Sequence, residues 1–204
     1  MSHMEPNMKK RRVELDRVRI VLCGAGSWGQ GWHLPQLQRN PHVELVAIVD
    51  PQTTVTWSKY NLDIKPPDEL AAMYQVPLFH TFEEFLNSSL AERTDGVIIS
   101  STHRTHSSLG LLAAKANFHI FMEKPMTTNA LEALDLYAAA EQMKCHGKVF
   151  MVNHSANFRQ QALKAREFVG SGRIGEIQHV TCYMIREREF FEDSKNRLWV
   201  SSFE

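Results

Sequence analysis

The amino-acid sequence predicts an α/β fold in which a doubly wound parallel sheet is followed by the beginning of a second, α+β open-sheet domain. Three observations predict it. Short apolar runs rich in β-branched residues alternate with helical patterns, as parallel strands alternate with helical crossovers. A glycine-rich turn, Gly24–Gly29, follows the first of these runs directly. After Asn153 the alternation stops and a different pattern begins, which indicates a domain boundary.

The predicted strands are six short runs of Val, Ile, Leu and Phe, each of a length typical of a buried strand. In chain order they are Val18–Cys23, Val43–Val49, Val76–Phe79, Gly96–Ser100, Phe118–Met122 and Lys148–Val152. Six strands with five crossovers in about 135 residues amount to one complete doubly wound domain.

Helix signals occupy the segments between these strands. Thr81–Glu84 has the spacing of a capping box and begins a short helix. A helix is also expected after Asp50, and Pro66-Pro67 should break it, so that residues 60–68 form a surface excursion. The other predicted helices run from the glycine turn to about Asn40, over His106–Ala116 and over Asn129–Met143.

Composition excludes several classes of protein. Hydrophobic residues make up 43% of the 204 residues and charged residues 23%, close to the average of soluble globular proteins. No apolar run approaches the ~20 residues that would span a bilayer. The 23 basic side chains balance the 23 acidic ones, which argues against a nucleic-acid or membrane-surface binder. Three scattered cysteines, Cys23, Cys145 and Cys182, indicate a reducing, cytoplasmic compartment.

The turn Gly24-Ala25-Gly26-Ser27-Trp28-Gly29 has the G-x-G-x-x-G pattern between a strand and a helix, which is typical of dinucleotide binding in a Rossmann domain. Gly24 would make the tight turn, Gly26 would let a pyrophosphate reach the backbone, and Gly29 would pack helix on strand. The helix that begins at Ser27 and Trp28 would offer its free N–H groups to the phosphates.

Asp50 strengthens the prediction of a dinucleotide site. It ends the second strand and lies 21 residues after Gly29, where a carboxylate can accept both adenosine-ribose hydroxyls. It would repel the 2′-phosphate of NADP, and Pro51-Gln52 provide no compensating arginine, so NAD is favoured over NADP. Two alternatives stay open: a strand-end turn aspartate, and a methyltransferase, which also has a glycine turn and an acid after its second strand.

Glu123-Lys124-Pro125 follows the fifth strand at once. Together with the glycine turn and His33-Leu34-Pro35, this tripeptide makes the chain resemble the Gfo/Idh/MocA oxidoreductases. The similarity continues in Ser101–His106 and in Val169–Ile177. The resemblance implies a dehydrogenase that transfers a hydride between nicotinamide and a sugar, inositol or related polyol, with no nucleic-acid or membrane partner.

The resemblance also implies roles for individual residues. Lys124 would be catalytic, orienting the substrate hydroxyl beside the cofactor, and Glu123 would lie near the nicotinamide ribose. His33 and Pro35 would pack at the cofactor rim. The loop after the fourth strand should pass beside the cofactor, although it lacks the Thr-Pro-Asn that is usual in the family. Its cofactor-binding residues would be Ser101, Thr102, His103 and His106.

Two features of the candidate site leave alternatives open. His103 and His106 are three residues apart and could share a helical face as metal ligands, but no third ligand presents itself, so no metal site is predicted. Asn153 and His154 could contact a polyol substrate, or could be part of a solvated domain junction.

The expected domain organisation has three parts. Residues 1–17 form a flexible leader, residues 18–153 an NAD(P)-binding Rossmann domain, and residues 154–204 the incomplete start of a substrate and dimerisation domain. The leader contains Lys9–Arg12, which is a solvated segment or, alternatively, a nuclear-import or nucleic-acid patch. In the last part we expect a helix over Phe158–Val169 and a strand over Ile177–Ile185.

The resemblance implies that a catalytic aspartate–histidine pair and the sheet that forms homo-oligomers lie beyond Glu204. The sequence is therefore expected to be a fragment with little or no turnover of its own. An alternative in the same fold is a regulatory, repressor-like protein that binds the dinucleotide without catalysis.

Overall fold

The computed structural model describes residues 17–54 and 64–183, which form a six-stranded sheet with helices on both faces. All strand pairs are parallel, and the strand order is β3-β2-β1-β4-β5-β6, the order of a doubly wound sheet. The predicted doubly wound α/β fold class is confirmed. The strands are β1 Val18–Cys23, β2 Val43–Val49, β3 Leu78–Phe79, β4 Gly96–Ile99, β5 His119–Glu123 and β6 Phe150–Asn153.

The helices begin where the sequence provides their N-terminal signals. Thr81 Oγ1 accepts a hydrogen bond from Glu84 N at 3.1 Å, and Glu84 Oε2 accepts one from Thr81 N at 3.2 Å, which confirms the predicted capping box. Asn129 Oδ1 caps α5 by accepting from Leu131 N at 2.8 Å. The helices are α1 Leu34–Arg39 (preceded by a π-helical turn, Gly29–His33), α2 Pro67–Tyr74, α3 Phe82–Leu86, α4 His106–Lys115, α5 Ala130–Cys145 and α6 Gln160–Gly170.

The structure bears on two further expectations from the sequence. Residues 51–54 are not helical, and the non-helical Pro66 agrees with the predicted break; Pro67 then begins α2, because a proline at the first helical position lacks only an N–H that would have no partner there. The predicted strand Ile177–Ile185 is wrong within the described residues, since residues 177–183 form no strand and pair with none of the described strands. The remainder of these two segments, and Lys9–Arg12, lie outside the described residues.

The core lies on both faces of the sheet. One face packs β1, β4 and β5 against α3, α4 and α5, and the other packs β1, β2 and β4 against α1 and α2. The central strand β4 is buried along its whole length, as a strand covered on both faces must be. Burial of each large aliphatic side chain contributes about 1.5–3 kcal/mol relative to exposure. These two layers therefore fix the carboxyl ends of the strands, where the candidate site lies.

No helix of the two described ranges is both long and apolar enough to cross a membrane.

Candidate active site

Five residues form a row across the carboxyl edge of the sheet, at or just beyond the strand ends: Asp50, Gly24, Ser100, Glu123 and Asn153. In the pairs β1–β2 and β4–β5, the last paired residues come one position before this row. In the pair β5–β6, Glu123 itself pairs with Asn153. The carboxyl edge of an open α/β sheet is where ligands bind, next to the point at which the strand order reverses. That point lies between β1 and β4, the two strands that Gly24 and Ser100 directly follow.

The three glycines of the turn have three different surroundings. Gly24 has a φ of +93°, and a Cβ there would overlap the backbone of Ser100 and Ser101. A Cβ on Gly29 would overlap the carbonyl oxygen of Gly24, so the helix start lies directly on the turn. Gly26 has nothing within 4 Å of the position that a Cβ would take. The open space at Gly26 fits the close approach of a pyrophosphate to the backbone.

The carboxylate of Asp50 is buried beneath the glycine turn. Its Oδ2 accepts a hydrogen bond from Ala25 N at 2.7 Å, and its Oδ1 accepts one from Gln52 N at 2.9 Å. A carboxylate has about four acceptor positions, so these bonds leave capacity for ribose hydroxyls. Burial and the neighbouring Asp50 charge both raise the pKa of the Cys23 thiol, which stays a neutral core group. Asp50 therefore shapes the turn and keeps acceptor capacity for the predicted ribose.

Gln30 is a second support of the turn, and the sequence analysis missed it. Its Nε2 donates to the carbonyl oxygens of Ala25 and Lys65, both at 2.7 Å, and its Oε1 accepts from Lys65 N at 2.9 Å. The contact joins residues 35 positions apart, and no local pattern in the sequence signals it. Gln30 thereby ties the chain before α2 to the glycine turn.

Glu123 is the most fully bonded side chain of the row. Its Oε1 accepts from Asn153 Nδ2 at 2.7 Å and from His33 Nε2 at 3.0 Å, and its Oε2 accepts from Lys124 N at 3.3 Å. Burial raises the pKa of this carboxyl, but hydrogen bonds from His33, Asn153 and Trp28 together lower it by more. The pKa of Glu123 therefore lies below its usual value. The buried Glu123 is therefore an ionised acceptor, and His33 contributes a hydrogen bond as well as packing.

Lys124 is exposed at the end of β5. Its Nζ lies 5.8 Å from the centre of the Trp28 ring, a distance typical of a cation–π contact. The Trp28 ring also packs against Trp32, with 5.5 Å between ring centres and 42° between ring planes. The predicted catalytic lysine and the predicted cofactor turn are therefore in direct contact through Trp28.

The loop after β4 is joined to the loop after β5 by His106, which is fully buried. His106 Nδ1 lies 2.7 Å from the carbonyl oxygen of Pro125, and Nε2 lies 3.2 Å from that of Ser101. The shorter contact favours a proton on Nδ1. Thr105 closes the loop by donating from Oγ1 to Ser101 Oγ at 2.7 Å. The loop therefore has a defined shape without the proline of the family pattern.

The remaining candidate residues lie in this loop and at the end of β6. Thr102 is exposed, and the His103 ring packs edge-on against His106 at 5.6 Å. Both ring nitrogens of His106 face backbone oxygens, which leaves them unavailable to a metal. No group of three possible metal ligands occurs in the described ranges. His154 is exposed, whereas Asn153 is engaged by Glu123.

We expect Glu123→Gln to lower the free energy of unfolding by about 2 kcal/mol at pH 7, because it removes the charge that four donors face. Since folding lowers the pKa of Glu123, the charge stabilises the fold above about pH 4.5, the ordinary value of this carboxyl, and the benefit is lost as the pH falls through the folded-state value. The difference between wild type and variant should therefore shrink on acidification. Urea unfolding at pH 7 and pH 3.5 measures it.

The matched control is Glu141→Gln on the exposed side of α5, which should change stability little at either pH. A difference between wild type and Glu123→Gln that stayed constant from pH 7 to pH 3.5 would contradict the assignment of an ionised Glu123.

Known proteins share both the sequence pattern and the fold. The curated relative YdgJ of Escherichia coli, an uncharacterized oxidoreductase, is 23% identical over 181 residues, covering 87% of this chain and 46% of YdgJ. Two solved structures show the same fold at 19% identity. The WlbA dehydrogenase of Chromobacterium violaceum, in complex with NADH and UDP-GlcNAcA, matches with a TM-score of 0.64 over 78% of this chain and 41% of its own. A candidate NADPH-dependent oxidoreductase of Desulfitobacterium hafniense matches with a TM-score of 0.63 over 79% and 41%.

The chain thus spans less than half the length of these relatives. The model of an oxidoreductase family with an NAD-binding Rossmann fold, Gfo/Idh/MocA, matches residues 18–154. This match contains the glycine turn, Asp50 and Glu123-Lys124-Pro125, the features on which the resemblance was based. The chain belongs to the Gfo/Idh/MocA oxidoreductase family.

Proposed function

We propose that this chain is the cofactor-binding part of an NAD-dependent dehydrogenase that oxidises or forms a CH–OH group in a sugar, inositol or related polyol. The observation that carries the proposal is the glycine turn, with open space at Gly26, next to Asp50 on one side and the contact between Trp28 and Lys124 on the other. The turn and Asp50 suit the phosphates and the adenosine ribose, and Lys124 suits the reacting end.

The residues present fit a dinucleotide. The space at Gly26 is open, with no protein atom within 4 Å of the position of a Cβ, and the first turn of the following helix has N–H groups for phosphate oxygens. The nicotinamide, when bound, supplies the hydride acceptor or donor. Lys124 would hold and orient the substrate hydroxyl with its exposed amine. Glu123 would keep the strand end rigid, since its carboxylate is already bonded.

NAD is proposed over NADP because Asp50 presents a negative charge where NADP has a 2′-phosphate, and Pro51-Gln52 contribute no positive charge. The sugar or polyol substrate is proposed from the family resemblance and from the UDP-GlcNAcA in the WlbA complex. Residues 154–204 are proposed to begin the substrate and oligomer-forming domain, and the whole protein to act in the cytoplasm. The fragment itself is proposed to turn over little substrate.

Equilibrium dialysis of the chain with NAD and NADP tests the cofactor proposal. We expect NAD to bind, and NADP to bind roughly tenfold more weakly, which corresponds to about 1.4 kcal/mol. Asp50→Asn should bring the two affinities together, because it removes the repulsion of the 2′-phosphate. Asp68→Asn, at an exposed site on α2, is the matched control and should leave both affinities unchanged.

Absence of binding by both dinucleotides would refute the cofactor proposal, and binding of S-adenosylmethionine without NAD would favour a methyltransferase. A preference for NADP that Asp50→Asn leaves unchanged would refute the role of Asp50.

A further inference from the structure

We propose that Glu123 and Trp28 are positioning residues for Lys124: the Glu123 carboxylate holds the Trp28 indole, and the indole ring face holds the Lys124 amine at the site. The proposal rests on the proposed function for the role of Lys124. The contacts themselves can be tested without it.

The first contact joins Glu123 to Trp28. Hydrogen bonding by Trp28 is among the causes that lower the pKa of the Glu123 carboxyl, which places the indole N–H of Trp28 against that carboxylate. The carboxylate is itself fixed, because it also accepts from His33 at 3.0 Å and from Asn153 at 2.7 Å, and its side chain is only 7% exposed. An indole has a single N–H, so this bond sets the orientation of the ring.

The second contact joins Trp28 to Lys124. The Lys124 Nζ lies 5.8 Å from the centre of the Trp28 ring, within the range in which the ring quadrupole attracts a cation. Trp32 packs on the same indole at 5.5 Å and limits its movement. A lysine side chain has a flexible four-carbon stem, so an oriented ring face restricts the positions that its amine can take.

Trp28 contacts two consecutive residues at the end of β5, Glu123 and Lys124, so the two contacts and the chain together link all three residues. Trp28 lies between Gly26 and Gly29, at the helix start that is proposed to bind the phosphates. The position of the Lys124 amine is therefore coupled to the position of the cofactor turn. An aliphatic residue at position 28 would preserve the glycine pattern and lose this coupling.

The test labels lysine amines of the 204-residue chain by reductive ¹³C-methylation, which keeps their positive charge, and records the NMR shifts of the methyl groups. The Lys124 resonance is assigned by its disappearance in Lys124→Arg. We expect it to be displaced upfield of the Lys115 and Lys144 resonances by the ring current of Trp28. Trp28→Leu should abolish the displacement, and Glu123→Leu, which leaves the indole N–H without an acceptor at position 123, should reduce it roughly by half or more.

Three controls separate positioning from general loss of structure. Tyr137→Leu and Glu141→Leu, at exposed positions of α5, make comparable changes elsewhere and should leave the displacement intact. Trp28→Phe keeps a ring without the N–H and should retain part of it. Far-ultraviolet circular dichroism and the Lys115 and Lys144 shifts show whether each variant is folded.

A wild-type Lys124 resonance that coincides with those of Lys115 and Lys144 would overturn the proposal, as would a displacement unchanged in a folded Glu123→Leu variant. A parallel NADH titration keeps the two proposals apart. Failure to bind NADH would count against the proposed function, whereas the ring-current shifts decide the positioning of Lys124.

Discussion

The Gly24→Ala variant is expected to unfold with a free energy about 3 kcal/mol below that of wild type. Two costs combine at this position. A φ of +93° is strained for any residue with a Cβ, and the added Cβ would overlap the backbone of Ser100 and Ser101. Backbone atoms cannot turn aside as a flexible side chain can, so β1 and β4 would have to separate at their carboxyl ends. Urea unfolding followed by circular dichroism measures the change.

Gly147→Ala is the matched control for this prediction. Gly147 also has a positive φ, +70°, but nothing lies within 4 Å of the position that its Cβ would take. The control should therefore cost only about 1 kcal/mol, the strain of the backbone alone. Equal destabilisation by the two substitutions would show that the close approach of the turn to the loop after β4 is not what requires Gly24.

The Gly26→Ala variant is expected to bind NAD at least roughly tenfold more weakly, a loss of about 1.4 kcal/mol, while its stability stays within about 0.5 kcal/mol of wild type. Gly26 is exposed, and a Cβ there would contact no protein atom within 4 Å. The methyl group would instead occupy the space proposed for the pyrophosphate. Isothermal titration with NAD and urea unfolding, on the same preparations, measure the two quantities.

Gly170→Ala provides the comparison for Gly26. Gly170 also has open space around its Cβ position, and it is the last residue of α6. We expect this variant to leave the affinity for NAD unchanged and to keep or slightly raise the stability, because Ala is a better helix former than Gly. Wild-type affinity in a folded Gly26→Ala variant would contradict the assignment of the pyrophosphate position.

Local patterns in the sequence predicted the sheet and the shape of the glycine turn. Each strand is a short apolar run, and the run over Gly96–Ile99 is buried at every position, as a central parallel strand requires. The positions of the three glycines could be predicted because each satisfies one local requirement: a positive φ, open space beside the backbone, or a close packing contact. The family could be predicted because Glu123-Lys124-Pro125 directly follows a strand.

Contacts between distant parts of the chain could not be predicted in this way. The clamp of Gln30 on Lys65 and the bonds of Glu123 to His33 and Asn153 join residues 30 to 90 positions apart. Polar side chains with such partners look like any others in the sequence. The one signal for such a contact is the register of β5 against β6, which brings Glu123 and Asn153 side by side.

The missed start of α2 and the wrong strand prediction have local causes. Proline is compatible with the first position of a helix and incompatible with its interior, so Pro66-Pro67 predicted a break but not that Pro67 begins the next helix. Alternating apolar residues over Ile177–Ile185 indicated a strand, but a strand forms only with a partner, and residues 177–183 pair with none of the described strands.

Backbone amide NMR of the chain during an NADH titration tests most directly whether the glycine turn is the dinucleotide site. We predict that the amide resonances of Ala25, Gly26, Ser27 and Trp28 shift most, and that those at the opposite edge of the sheet, such as Arg19 and Asp95, stay in place. Saturating NADH that leaves the turn amides unmoved, or that shifts the opposite edge instead, would contradict the account.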